Sequence, residues 1–116
     1  MDIYHIWFNL KEGVKDTDFA DSLKAYFDHL RSQKSLVAYR ITRRKLGLGH
    51  PAFPEWHVWI ELESLAQLDQ AFHHVATRAN PVESFHHAVN SKVTDLMFTL
   101  YRDFPDAERQ RGQERF

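Results

Sequence analysis

Apolar and polar residues alternate one by one from Ile3 to Leu10. Tyr4, Ile6, Phe8 and Leu10 fall on one side and His5, Trp7 and Asn9 on the other, the two-residue period of a strand with one apolar face. After a break at Gly13 the period lengthens, and Phe19, Leu23, Tyr26, Phe27 and Leu30 recur three or four residues apart. This predicts a helix capped by Asp16 or Thr17, buried along one stripe and ending near Gln33. Leu36 to Lys45 returns to alternation, with Val37, Tyr39 and Ile41 against Arg40, Thr42 and Arg44. Gly47, Gly49, Pro51 and Pro54 then impose a loop over Leu46 to Pro54. Trp56 to Leu62 is a third strand, with Trp56, Val58, Ile60 and Leu62 opposite His57, Trp59 and Glu61. Ser64 caps a second helix carrying Leu65, Leu68, Phe72 and Val75, and Asn80-Pro81 stops it, because the residue before proline is driven from the helical region. A shorter helical turn through Val82, Phe85 and Val89 follows. Val93 to Arg102 is a fourth strand, its Leu96, Phe98 and Leu100 alternating with Asp95, Met97, Thr99 and Tyr101.

The order strand, helix, strand, strand, helix, strand is the split βαβ, ferredoxin-like arrangement of class α+β. It predicts a four-stranded antiparallel sheet, strands ordered four, one, three, two, with both helices on one face. Residues 1–102 form this single domain and 103–116 a polar tail, read as frayed or as an arm on a partner. The apolar strand faces pack on the helices. The helix-free face then collects His5, Trp7 and Asn9, Arg40, Thr42 and Arg44, His57, Trp59 and Glu61, and Asp95, Met97, Thr99 and Tyr101, too aromatic for a solvated surface and too polar for an ordinary core.

Composition narrows the classes of function. The 116 residues hold 15 basic and 16 acidic side chains with no long block of one sign, so no concentrated basic face points to nucleic acid or an anionic membrane. Without cysteine there is neither disulfide nor thiolate chemistry, and no apolar run is long enough to span a membrane. The expected setting is the cytoplasm. Eight histidines and 14% aromatic residues are the unusual components from which a function would be built. His73-His74 and His86-His87 are adjacent pairs, about a hundred degrees apart on a helix, so one of each pair faces solvent. His29 and His50 read as surface residues. The Arg43-Arg44-Lys45 run sends successive side chains to opposite faces and reads as solvated edge-strand charge.

The element order, the length and the mixed second sheet face resemble the dimeric α/β-barrel superfamily, in which two ferredoxin-like subunits pair sheet to sheet. The resemblance spans residues 2–102 and rests on topology and pattern. It implies a homodimer and a small-molecule pocket bordering the sheet. Members include small mono-oxygenases, isomerase-like proteins, haem-degrading enzymes and stress-related proteins.

A register placing Trp7 beside Trp59 would bring His5 to Glu61 and Asn9 to His57. A carboxylate beside an imidazole fixes its tautomer and makes it more basic, so His5, Glu61 and His57 are the candidate catalytic residues. Trp7, Asn9, Arg40, Trp59 and Tyr101 would bind substrate, the rings by stacking and the polar groups by stabilising an oxyanion. This suits cofactor-independent oxidation or isomerisation of an aromatic or enolisable small molecule, with no metal. The alternative is a non-catalytic binding or stress-response module whose polar residues pair across a dimer interface. Two further readings are a site of His5, His57 and Glu61 for iron, and a haem site implied by the resemblance, with Asn9, Trp59 and His73 or His74. The long loop, with Leu48 and Phe53 at its tip, is either a lid or a plain hairpin connection.

Overall fold

The computed structural model describes residues 1–106 and residue 112. Its elements are β1 (Asp2–Leu10), α1 (Asp16–Ser32), β2 (Ala38–Arg43), β3 (Trp56–Leu62), α2 (Leu65–Ala76), α3 (Val82–Asn90) and β4 (Val93–Arg102). The four strands form one antiparallel sheet in the order β2-β3-β1-β4, the predicted ferredoxin-like topology. The helical turn after Pro81 is the full helix α3, which packs along α1. Among the described residues no helix is long and apolar enough to cross a membrane. The greater part of the predicted tail arm, residues 107–111 and 113–116, lies outside the described residues.

On β1 and β3 the strand faces sort as the alternation predicts, whereas Leu96, Phe98 and Leu100 of β4, expected against the helices, are each more than 40% exposed. Phe8, Trp56, Val58, Ile60 and Leu62 turn to the helices and are buried against Phe19, Leu23, Phe27 and Leu30 of α1. Phe19 is wholly enclosed, its ring edge-on to Phe8 at 5.5 Å and to Trp56 at 5.7 Å. Helix α1 starts one residue earlier than its predicted caps: Lys15 holds the cap position without a side-chain bond, and the Asp16 carboxylate accepts from the Thr17 N–H. The helix ends where Lys34 turns left-handed at φ 58°, letting Ser35 N–H return to the Leu30 carbonyl. Ser64 does cap α2, accepting from Gln67 N–H. The Gln67 side chain in turn accepts from Glu63 N–H and donates to the Lys34 carbonyl, tying the start of α2 to the end of α1.

Asp2 is 2% exposed and forms two hydrogen bonds with the Arg102 guanidinium, at 2.5 and 3.1 Å. That bond holds its carboxyl below the usual carboxylate range despite burial. Sequence reading placed Asp2 outside the strand and missed this clasp between β1 and β4.

Candidate functional site

The helix-free face takes its geometry from the register of its two central strands. His5 lies opposite Trp59 and Trp7 opposite His57, two residues away from the register expected from the sequence. His5 therefore meets His57, not Glu61: its Nδ1 lies 2.9 Å from His57 Nε2. Glu61 sits at the end of the sheet between Ile3 and Ala38. Asn9 does not meet His57 either, because it donates to Asp95 and accepts from Glu55 N–H. Asp95 stands in a bulge of β4 at φ 56°, where the β1–β4 register shifts.

The bonding pattern fixes both imidazole tautomers. The Thr42 hydroxyl donates to the His57 carbonyl at 2.7 Å and stands 3.3 Å from His57 Nδ1. With its proton committed, that oxygen accepts from His57 Nδ1–H, leaving Nε2 bare to accept from His5 Nδ1–H. His5 Nε2 is then the free nitrogen of this hydrogen-bonded trio. Burial lowers the proton affinity of His5, and burial followed by the charge of His5 lowers that of His57.

Aromatic rings layer over this pair. Trp7 lies 4.5 Å from His57 with its plane tilted 20°, and Phe53 covers Trp7 at 5.4 Å. Tyr101 meets His5 edge-on at 5.1 Å, and the Arg40 guanidinium stands 5.4 Å over Trp59. The long loop thus delivers Phe53 to this face, while Leu48 at its tip stays exposed. Arg44 holds the loop by donating to the Phe53 carbonyl, and Gly49 leaves room for it, since a Cβ there would stand 2.5 Å from Arg44 Nε. Arg43 is not merely solvated: it pairs with Asp16 at 2.9 Å and Glu55 at 3.0 Å, and lies over Trp56.

The opposite side of the sheet holds a cavity of about 320 Å³ between the strands and the three helices. None of the residues predicted for the site lines it. Its walls are the apolar strand faces with Leu23, Leu68, Phe72 and Val75, and its polar groups are few: Tyr4, Tyr26, Ser35, His86 and Asn90. Burial raises the proton affinity of the Tyr4 phenol. Burial and then the negative charge of Glu83 push that of Tyr26 up to about 12. Neither phenol has a hydrogen-bond partner among the described residues. The Tyr4 ring is held between Phe72, 5.7 Å edge-on, and Phe98, stacked at 6.0 Å. Beside them the helices leave β4 uncovered, so Phe72, Leu96 and Phe98 are each more than 40% exposed at the cavity mouth, and Leu100 is 45% exposed.

The haem arrangement does not assemble within one chain. Trp59 faces away from the helices, whereas α2 with His73 and His74 packs across the sheet, and His74 Nδ1 lies 3.2 Å from the buried Ser35 hydroxyl. His5, His57 and Glu61 likewise fail to converge, and among the described residues no cluster of three such side chains is placed to hold a metal. Sequence reading missed Tyr4, Tyr26 and His86. The signal available was two hydroxyl-bearing rings on otherwise apolar stripes.

Residues 1–116 match the model of DUF6614, a family of unknown function. No curated protein matches the chain in sequence. Solved structures share its fold at low identity. Protein At3g17210 of Arabidopsis thaliana superposes with a TM-score of 0.69 at 11% identity, covering 89% of this chain and 95% of its own. SnoaB of Streptomyces nogalater, a cofactor-independent oxygenase, gives 0.68 at 8% identity over 93% and 97%. A dimeric ferredoxin-like protein of unknown function from Jannaschia sp. CCS1 gives 0.62 at 12% over 89% and 100%. These likenesses establish the ferredoxin-like fold.

Proposed function

Because the chain belongs to DUF6614, a family of unknown function, its role must come from its own surfaces, and we propose that it is a homodimeric protein that binds a flat, largely apolar small molecule. The cavity between sheet and helices carries this reading. Its volume of about 320 Å³ lies at the small end of ligand pockets. Its walls carry no Asp, Glu, Lys or Arg, and its two free phenols offer donors to a carbonyl or hydroxyl oxygen. An aromatic or enolisable compound of two or three rings fits that chemistry, and the reaction class is cofactor-independent isomerisation or oxidation. The fold likeness to an oxygenase of that kind agrees with it.

The dimer uses the helix-free face, where Trp7, Trp59, Tyr101 and Phe53 surround the imidazole pair. The dimeric ferredoxin-like protein from Jannaschia sp. CCS1, similar in fold, supports a dimer. His5, His57, Trp7, Arg40, Trp59 and Tyr101 are then seam residues, with Asn9 and Glu61 at its ends.

Titration with 2-naphthol, followed by its fluorescence, tests the cavity. Saturable binding is expected, weakened at least about tenfold, or about 1.4 kcal/mol, by Ala71→Phe, which fills the wall. Binding unchanged in that variant would place the ligand elsewhere.

The bare Nε2 of His5 favours a second reading, in which the pair is a general base for a ligand held between the two sheets. In that case His5→Gln, and not Ala71→Phe, would abolish turnover.

A further inference from the structure

We infer that His86 is the proton-transferring base of the cavity and Tyr26 its oxyanion donor, and that the ligand class is a carbon acid whose carbonyl is set in a flat apolar frame. This inference rests on the cavity reading above and assigns its chemistry. Among the polar groups of the wall, serine and asparagine side chains do not exchange protons near neutral pH, and both phenols are held protonated by their surroundings. Imidazole is the one side-chain type present that ordinarily exchanges protons in that range. His86 projects from α3 into the lining, with its ring edge-on to Tyr26 at a centroid distance of 5.9 Å. His87, the next residue, is exposed and outside the lining. The other ionisable side chains of the lining are Tyr26 on α1 and Tyr4 on β1, and Glu83 stands one turn earlier on α3.

The step balances without an oxidant or reductant. A ring nitrogen of His86 takes a proton from the carbon next to the carbonyl. The C–H electron pair becomes the new C=C bond, and the carbonyl π pair moves to oxygen. The Tyr26 hydroxyl donates to that oxygen as its charge grows, a role that a phenol with a raised proton affinity keeps across the neutral range. Replacement of that proton on His86 by one from solvent, followed by its delivery to the same carbon, gives exchange. Delivery of the proton to a conjugated carbon gives isomerisation.

The test uses 2-tetralone in deuterated water, with loss of its α-proton signal followed by nuclear magnetic resonance, alongside 2-naphthol binding. The protein is expected to accelerate exchange. His86→Asn should lose about a hundredfold of that acceleration, within the usual reach of a general base. Tyr26→Phe should lose about tenfold, and His87→Asn should change neither exchange nor binding. Intact 2-naphthol binding with no acceleration, or with exchange insensitive to His86→Asn, overturns His86 as base and leaves the cavity reading standing. Failure of the unchanged protein to bind 2-naphthol removes the cavity reading and this inference with it.

Discussion

The two faces of one sheet spend their aromatic residues in different ways. On the helix-free side, Phe53, Trp7, His57 and His5 lie ring against ring, and the imidazoles bond to each other and to Thr42, leaving His5 Nε2 bare and the Thr99 hydroxyl buried without a partner among the described residues. On the helix side, Phe19, Phe8 and Trp56 interlock at one end of the core, while towards β4 the packing opens into a cavity with two unbonded phenols. A surface of stacked rings whose imidazoles already bond each other is suited to be covered by another chain. A cavity whose donors have no partner is suited to receive one from a ligand. The contrast follows from neighbours more than from residue type, since both faces are rich in rings.

The largest expected effect breaks the helix side at its closed end. Phe19→Ala should cost about 3–5 kcal/mol in denaturant unfolding, because the enclosed ring leaves a hole among Phe8, Trp56 and the α1 stripe. A loss under about 1 kcal/mol would mean that the core can collapse around the gap and that the cavity has no rigid wall. The wall itself is probed by Phe98→Ala. That ring is 54% exposed, so truncation should cost little stability, about 1 kcal/mol or less, yet should weaken 2-naphthol binding by removing the support stacked on Tyr4. Equal binding with and without Phe98 would separate the mouth at β4 from the ligand.

How much of this contrast was legible in the sequence depends on which periodicity carries it. Alternation along β1 and β3 assigned each side chain to a face and the helical stripe assigned Phe19, Leu23 and Phe27 to the core, since burial acts on those periods directly. Register was beyond its reach. Sliding β3 by two residues keeps Trp56, Val58 and Ile60 on the helices, so the pattern is equally satisfied whether His5 meets Glu61 or His57. The bulge at Asp95 had no signal either, since its left-handed φ is a local backbone choice. The cavity was hidden because Tyr4 and Tyr26 sit at positions that sequence reading counts as core. Whether a stripe residue fills its space depends on the distance between helix and sheet, which a period does not contain.

The imidazole pair sharpens the comparison through pH. Both histidines bind protons less readily when folded than when unfolded. The unfolded chain therefore takes up protons first as pH falls below the ordinary imidazole value of 6.5. Their contribution to stability is thus present above that value and is lost as pH falls towards the folded values. Thermal unfolding of the intact protein should show its midpoint dropping over this interval, and His5→Gln with His57→Gln should flatten the drop. A midpoint indifferent to the double substitution would mean that another group dominates the response.

Arg40 provides the finest test of what covers the helix-free face. Its guanidinium lies 5.4 Å over Trp59 on an edge strand, and its side chain is exposed in the single chain. A cation over a ring in that setting contributes about 0.5–1 kcal/mol. In an isolated subunit Arg40→Ala should cost that much and no more, whatever the protein concentration. In a dimer paired through this face, unfolding is linked to dissociation, so the midpoint of the unchanged protein should fall with dilution. Arg40→Ala should then make that fall begin at a higher concentration, because the ring it leaves bare belongs to the seam. Sedimentation and unfolding measured across a dilution series read both quantities together. A dimer whose dissociation ignores Arg40→Ala, and equally Trp59→Ala, would place the contact elsewhere and overturn both the seam and a ligand held between two sheets.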